Sequence, residues 1–183
     1  MVWIICGPSS AGKSTYFHSV ARKPFDNNEP VDLLFPSDVK SGPVDGVIHY
    51  NILQNLSVEK DESGTVQVVL PPYGSCQFWT KLVEDYGNDI NAIVLVCSQK
   101  ELLRRVETRT VIELYAKDSR KHPAYDSEFW DFIYRTVDMT KVYYRWLTEL
   151  ERRGVRYRLI DSTSEGYTNI KSKTDAFELI GGA

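Results

Sequence analysis

The sequence predicts an α/β fold, a three-layer α/β/α arrangement around a mainly parallel five-stranded sheet. Three observations predict it. The apolar runs at residues 2–6 and 92–97 lack polar alternation, as strands covered on both faces do. Stretches with helical spacing of apolar residues separate those runs. The first run also leads directly into Gly-Pro-Ser-Ser-Ala-Gly-Lys-Ser-Thr at residues 7–15, a glycine-rich turn that opens a helix.

In chain order, residues 2–6 form a buried strand, and a helix runs from about Lys13 to Ala21 with Tyr16, Phe17 and Val20 on one side. Residues 31–35 are a second strand candidate, stopped by Pro36 and followed by Ser37-Asp38. Residues 46–52 are a third, with Val47 and Ile48 inward and His49-Tyr50-Asn51 at its end. The polar stretch 59–65 reads as a surface loop, and 66–70 as a short strand ended by Pro71-Pro72. Phe78, Leu82, Val83 and Tyr86 recur at helical spacing. Residues 92–97 are a strand, after which Ser98 caps a helix to about Arg109 with Leu102, Leu103 and Val106 inward. One long helix is expected over 127–153, ended by Gly154, then a last strand at 155–160. Beyond Asp161 the pattern fades, and the tail after residue 165 has no defined element.

The loop at 7–15 fits G-x-x-x-x-G-K-[ST], and its chemistry explains its residue types. Backbone N–H groups of Ser9, Ser10, Ala11, Gly12 and Thr15 converge on phosphate oxygens. Gly7 and Gly12 allow conformations and close approaches that a Cβ would block. Lys13 reaches the β- and γ-phosphates, and the Ser14 hydroxyl sits on Mg²⁺. A nucleoside triphosphate, ATP with Mg²⁺, is therefore the expected ligand. In a parallel sheet, ligands lie at the carboxyl ends of the strands. That rule would gather the loop, Asp38, His49-Tyr50-Asn51 and the segment after Cys97.

Composition narrows the classes. No segment has the length of a secretory leader or a membrane span, so no membrane partner is expected. Cys6, Cys76 and Cys97 lack metal-ligand spacing and read as reduced core thiols, which implies a cytoplasmic protein, or a host cytoplasm if the chain is viral. The net charge of −3 divides unevenly: residues 99–158 carry 14 Lys/Arg against 10 Asp/Glu, the rest 8 against 15. The basic half suits phosphates or a nucleic acid, although the net charge alone does not indicate DNA.

Residues 92–109 (AIVLVCSQKELLRRVETR) discriminate further. A strand, a turn and a helix bearing Arg104, Arg105 and Arg109 bring guanidinium groups to the strand's carboxyl end, where phosphoryl transfer needs cations. Arg105 and Arg109 share one face. Together with the loop, this segment resembles the small P-loop kinases, which include nucleoside monophosphate, gluconate, adenylylsulfate and polynucleotide kinases. The resemblance implies a single P-loop kinase-like domain over residues 1–183 with a helical lid at about 110–126, where Arg120 is a further phosphate contact. It also implies that Asp38, at the end of the second strand, orients or deprotonates an acceptor hydroxyl.

His49 and Asn51 are candidate acceptor contacts. No acid ends the third strand, which disfavours motor and switch NTPases. The first half has only Arg22 to meet a phosphate acceptor, which favours a hydroxyl on a nucleoside, nucleotide, sugar or nucleic acid. Two alternatives stand beside this reading. One is a kinase of a hydroxymethylated base or a polynucleotide end in phage DNA. The other is a nucleotide-binding regulatory protein without catalysis. The acceptor and the oligomeric state are not legible.

Overall fold

A computed structural model describes residues 1–21, 46–115, 126–163 and 166–182. β1 (Val2–Gly7) leads to α1 (Lys13–Tyr16), which continues as a π-helical turn over Phe17–Ala21. β2 (Gly46–Asn51), β3 (Ser57–Lys60) and β4 (Val66–Val69) follow. A 3₁₀ turn at Tyr73–Ser75 precedes α2 (Gln77–Tyr86). Then come β5 (Ile90–Val96), α3 (Gln99–Tyr115), α4 (Ser127–Thr136), α5 (Met139–Arg152), β6 (Arg156–Asp161), β7 (Thr168–Ile170) and α6 (Lys173–Gly181). The strand candidate at 31–35, Asp38, Arg120 and most of the expected lid fall outside the described residues.

The five-stranded sheet has the order β2-β1-β5-β6-β7, and only β7 runs antiparallel, against β6. The fold class expected from the apolar runs is therefore present: an α/β protein with a mostly parallel sheet, compatible with three layers. β1 and β5 are buried along their whole length, which is why their sequences show no alternation. The chain order reverses around β1, with β2 on one side and β5 on the other. That makes the carboxyl end of β1 the switch point where open sheets bind ligands.

α5 is pinned beneath the sheet by its buried aromatics. The Trp146 indole donates to Cys6 Sγ at 3.2 Å and stacks on Tyr50 and Trp79, with centroids 5.1 and 5.4 Å away. The Tyr143 hydroxyl donates to the Leu95 carbonyl at 2.8 Å and accepts from Cys97 N–H at 3.2 Å. All three cysteines are buried and unbridged, and burial pushes the Cys6 thiol up to about 12. Among the described residues no helix is long and apolar enough to cross a membrane.

Several expected elements differ. The single helix over 127–153 is two, because the Asp138 carboxylate accepts from Lys141 N–H and starts a new helix. The break rotates the buried stripe to Tyr143, Trp146, Leu147 and Leu150 and leaves Tyr144 exposed. In α2 it is Trp79 and Leu82 that are buried, while Val83 is exposed. The helix after Ser98 continues to Tyr115 rather than ending near Arg109. Part of the polar stretch at 59–65 is strand: β3 pairs with β4 in a separate hairpin that does not join the main sheet. The fifth strand comes instead from the tail, where β7 and α6 form. Ser172 caps α6 by accepting from Asp175 N–H at 3.1 Å, and Ala176 and Ile180 are buried.

Candidate functional site

Because β1, β2, β5 and β6 are parallel, their carboxyl ends share one edge, and the chain segments leaving them enclose a cleft of about 1190 Å³. The loop of residues 7–12 forms its floor. A Cβ on Gly7 would lie 3.0 Å from the Leu95 carbonyl, so any larger residue would press β1 away from β5 there. Gly12 has φ 88°, and a Cβ there would meet the Tyr167 hydroxyl at 3.2 Å. Ser10, with φ 61°, is a non-glycine residue in the left-handed region.

Each carbonyl from Gly7 to Ser10 has a donor. The Lys13 ammonium donates to Gly7 O at 3.1 Å and Pro8 O at 2.6 Å. Those two oxygens also accept from Ile52 N–H at 3.1 Å and Ala11 N–H at 3.3 Å. Ser9 O accepts from the Tyr134 hydroxyl at 2.5 Å, and Ser10 O from Arg105 Nη1 at 3.2 Å. A loop whose carbonyls are all occupied presents less negative potential to an approaching anion. The first-turn N–H groups of the helical segment starting at Lys13 have no acceptor earlier in that helix. Burial lowers the Lys13 ammonium to about 8, since the charged form loses hydration there.

The structure places the remaining candidates unevenly. Ser9, Ser10, Gly12, Lys13, Ser14, Thr15, Asn51, Arg105 and Arg109 line the cleft, and Ala11 is buried behind it. Arg105 is committed to protein acceptors: its Nε donates to Glu101 at 2.8 Å, and its Nη2 donates to the Ser162 carbonyl. Arg104 forms a two-bond pair with Glu101, both bonds at 2.7 Å, and holds that carboxyl below its usual range. Arg109 lies one turn beyond Arg105 on the cleft side of α3.

Strand alternation sets Tyr50 on the face opposite His49 and Asn51. His49 is exposed against the Phe17 ring, outside the cleft lining. Burial, Lys13 and His18 hold its pKa below the usual value. Tyr50 is core, stacked on Phe78. Asn51 faces the cleft, and its Oδ1 accepts from Leu53 N–H at 3.0 Å. The described residues contain no group of three or more His, Cys, Asp or Glu able to hold a metal.

Sequence reasoning missed the loop contact of the Tyr134 hydroxyl, and Glu101, Ser162, Thr163 and Tyr167. Glu101 was accessible, lying four residues before Arg105 on the same helix. Tyr167 gave no signal, since it sits in the tail where periodicity ends. Its hydroxyl bonds Thr15 and its ring meets Tyr16 edge-on at 5.1 Å. Fold and site together define an α/β protein with a loop-floored, arginine-flanked cleft at the carboxyl edge of its sheet. Comparison with protein-family models, curated proteins and solved structures gives no match to this chain.

Proposed function

We propose that this protein is a Mg²⁺-dependent kinase of the small P-loop type, transferring the γ-phosphate of ATP to a hydroxyl acceptor. One observation carries the reading: the loop at 7–12 lies at the switch point of the sheet with its Gly7–Ser10 carbonyls occupied, and Lys13 and Arg109 face the same cleft. The residues present fit a polyphosphate. Gly12 leaves space that a Cβ would fill against Tyr167, and the cations stand where charge spreads during phosphoryl transfer. The cleft volume of about 1190 Å³ exceeds the range usual for one small ligand, which favours a donor and an acceptor together.

Lys13 leaves its two carbonyls, each of which keeps a second donor, and binds the β- and γ-phosphates. Arg105 and Arg109 add positive charge on the α3 side, with Arg120 as a further contact. Ser14 would hold Mg²⁺, which would offset phosphate charge when bound. Asp38 orients or deprotonates the acceptor hydroxyl, and Asn51, which lines the cleft from the end of β2, contacts the acceptor. A hydroxyl acceptor also fits the sequence, which has only Arg22 in its first half to meet an acceptor phosphate.

The test is transfer of γ-labelled phosphate from ATP to a panel of nucleosides, nucleotides, sugars, oligonucleotides and duplex DNA containing hydroxymethylated bases. Lys13→Ala is expected to abolish labelling, and Asp38→Asn to lower turnover by about 10²-fold or more. Tight ATP binding with no labelled acceptor would instead favour a nucleotide-binding regulator.

A further inference from the structure

We propose that Arg105 and Tyr134 are positioning residues of the phosphate loop: by holding the Ser10 and Ser9 carbonyls, they keep residues 9–12 in the conformation that receives a phosphate chain. This rests on the nucleotide reading above and gives Arg105 a different task from a direct phosphate contact.

The loop needs such support. Ser10 sits at φ 61°, in the left-handed region where a Cβ crowds the following carbonyl. The peptides on either side of it can relieve that strain by flipping, which would turn a carbonyl toward the anion's place. Within the loop, the Ala11 N–H to Pro8 O bond at 3.3 Å resists this. Two further restraints come from far along the chain: Tyr134 on α4 and Arg105 on α3, two helices that pack against each other.

Both donors are built for the task. The Tyr134 ring is fully buried and stacks on Trp130, a packing role that phenylalanine would also fill. Its hydroxyl reaches Ser9 O at 2.5 Å. Arg105 makes three directed bonds, to Glu101, Ser10 O and Ser162 O, so its planar fork is fixed from α3, the loop and the end of β6 at once. A guanidinium so held acts on the loop's shape. Glu101, shared with Arg104, fixes its orientation from behind.

The experiment compares Tyr134→Phe, Arg105→Lys and Arg105→Gln with the wild type. It reads backbone amide shifts of residues 9–12 in the free protein, melting temperature, and affinity for ATP and for inorganic tripolyphosphate. Tyr134→Phe should melt within a few degrees of wild type, shift the loop amides, and weaken both ligands about 3–10-fold, the worth of one hydrogen bond. Arg105→Lys should lose as much affinity as Arg105→Gln, because one ammonium cannot bridge two carbonyls and a carboxylate.

Unchanged loop amides in Tyr134→Phe would overturn the proposal. So would wild-type affinity in Arg105→Lys, since a point charge would then suffice. A wild-type protein that binds neither ligand would refute the nucleotide reading, while the amide shifts would still decide the bracing. If the Arg105 variants do not fold, Tyr134→Phe decides alone.

Discussion

Lys13 carries a cost in the free protein that the proposed nucleotide reading would explain. Its ammonium is buried against two carbonyls that already have other donors, and its pKa falls to about 8 from 10.5. The sign follows from proton linkage. The unfolded chain keeps its lysine protonated to higher pH than the folded chain does, so this residue subtracts stability below pH 8. The deficit shrinks as pH rises from 8 to 10.5. Lys13→Met, which retains the apolar stem and leaves Gly7 O bonded to Ile52 N–H and Pro8 O to Ala11 N–H, should therefore raise the melting temperature of the free protein. A gain of about 1 kcal/mol, or about 2–4 °C for a chain of this size, is expected at pH 7 and should vanish near pH 10. Thermal melts of both proteins across that range test it; a lower melting temperature for Lys13→Met at pH 7 would show that the ammonium stabilises the loop instead. In the wild type, affinity for polyphosphate should fall as pH passes 8, because the charge that meets the anion is lost.

At the scale of elements, the break between α4 and α5 rests on one side chain. Asp138 caps α5 through Lys141 N–H, at 3.2 Å, and Val137 supplies the extended residue before it. Asp138→Ala removes the cap and should cost about 1 kcal/mol, a drop of about 2–4 °C in melting temperature, with the proposed phosphoryl transfer unchanged. A loss of transfer at equal stability would mean that the α4–α5 angle reaches the site through Tyr134. The break was legible only in retrospect. Phe129, Ile133 and Val137 continue into Tyr144 and Leu147 at helical spacing, so periodicity runs across it, while a capping aspartate looks like any polar residue on a helix face. The tail was illegible for a different reason. β7 has only three residues and two of them are exposed, so it carries no apolar run; its place is set by pairing with β6. β4 misled in the opposite direction, since its valines look like a core strand but are mostly exposed in a separate hairpin. β1 and the 92–96 part of β5 are legible because burial on both faces leaves their sequences apolar throughout.

At the scale of the whole molecule, what the sequence made legible is what the chain keeps local or what strand order enforces. The loop at 7–15 is contiguous, and its convergence with Asn51 and the end of β5 follows from a parallel sheet. The braces of Tyr134 and Arg105 join residues 125 and 95 positions apart, and no local pattern announces them. Charge also acts at this scale. The net charge is −3, yet residues 99–158 carry an excess of basic residues, and α3 brings Lys100, Arg104, Arg105 and Arg109 to the cleft and an adjoining hollow of about 630 Å³ that Arg135 also lines. Arg104 and Arg135 are more than half exposed. If the acceptor is a nucleic acid, these groups would follow its backbone away from the cleft, and binding would release counterions. Transfer to a polymer should then fall by about tenfold or more between about 50 and 200 mM salt, while transfer to a free nucleoside should change less than about twofold. Arg135→Ala should raise KM for the polymer alone and lessen that salt dependence. Equal salt profiles for polymer and nucleoside would exclude the extended contact and confine the acceptor to the 1190 Å³ cleft itself.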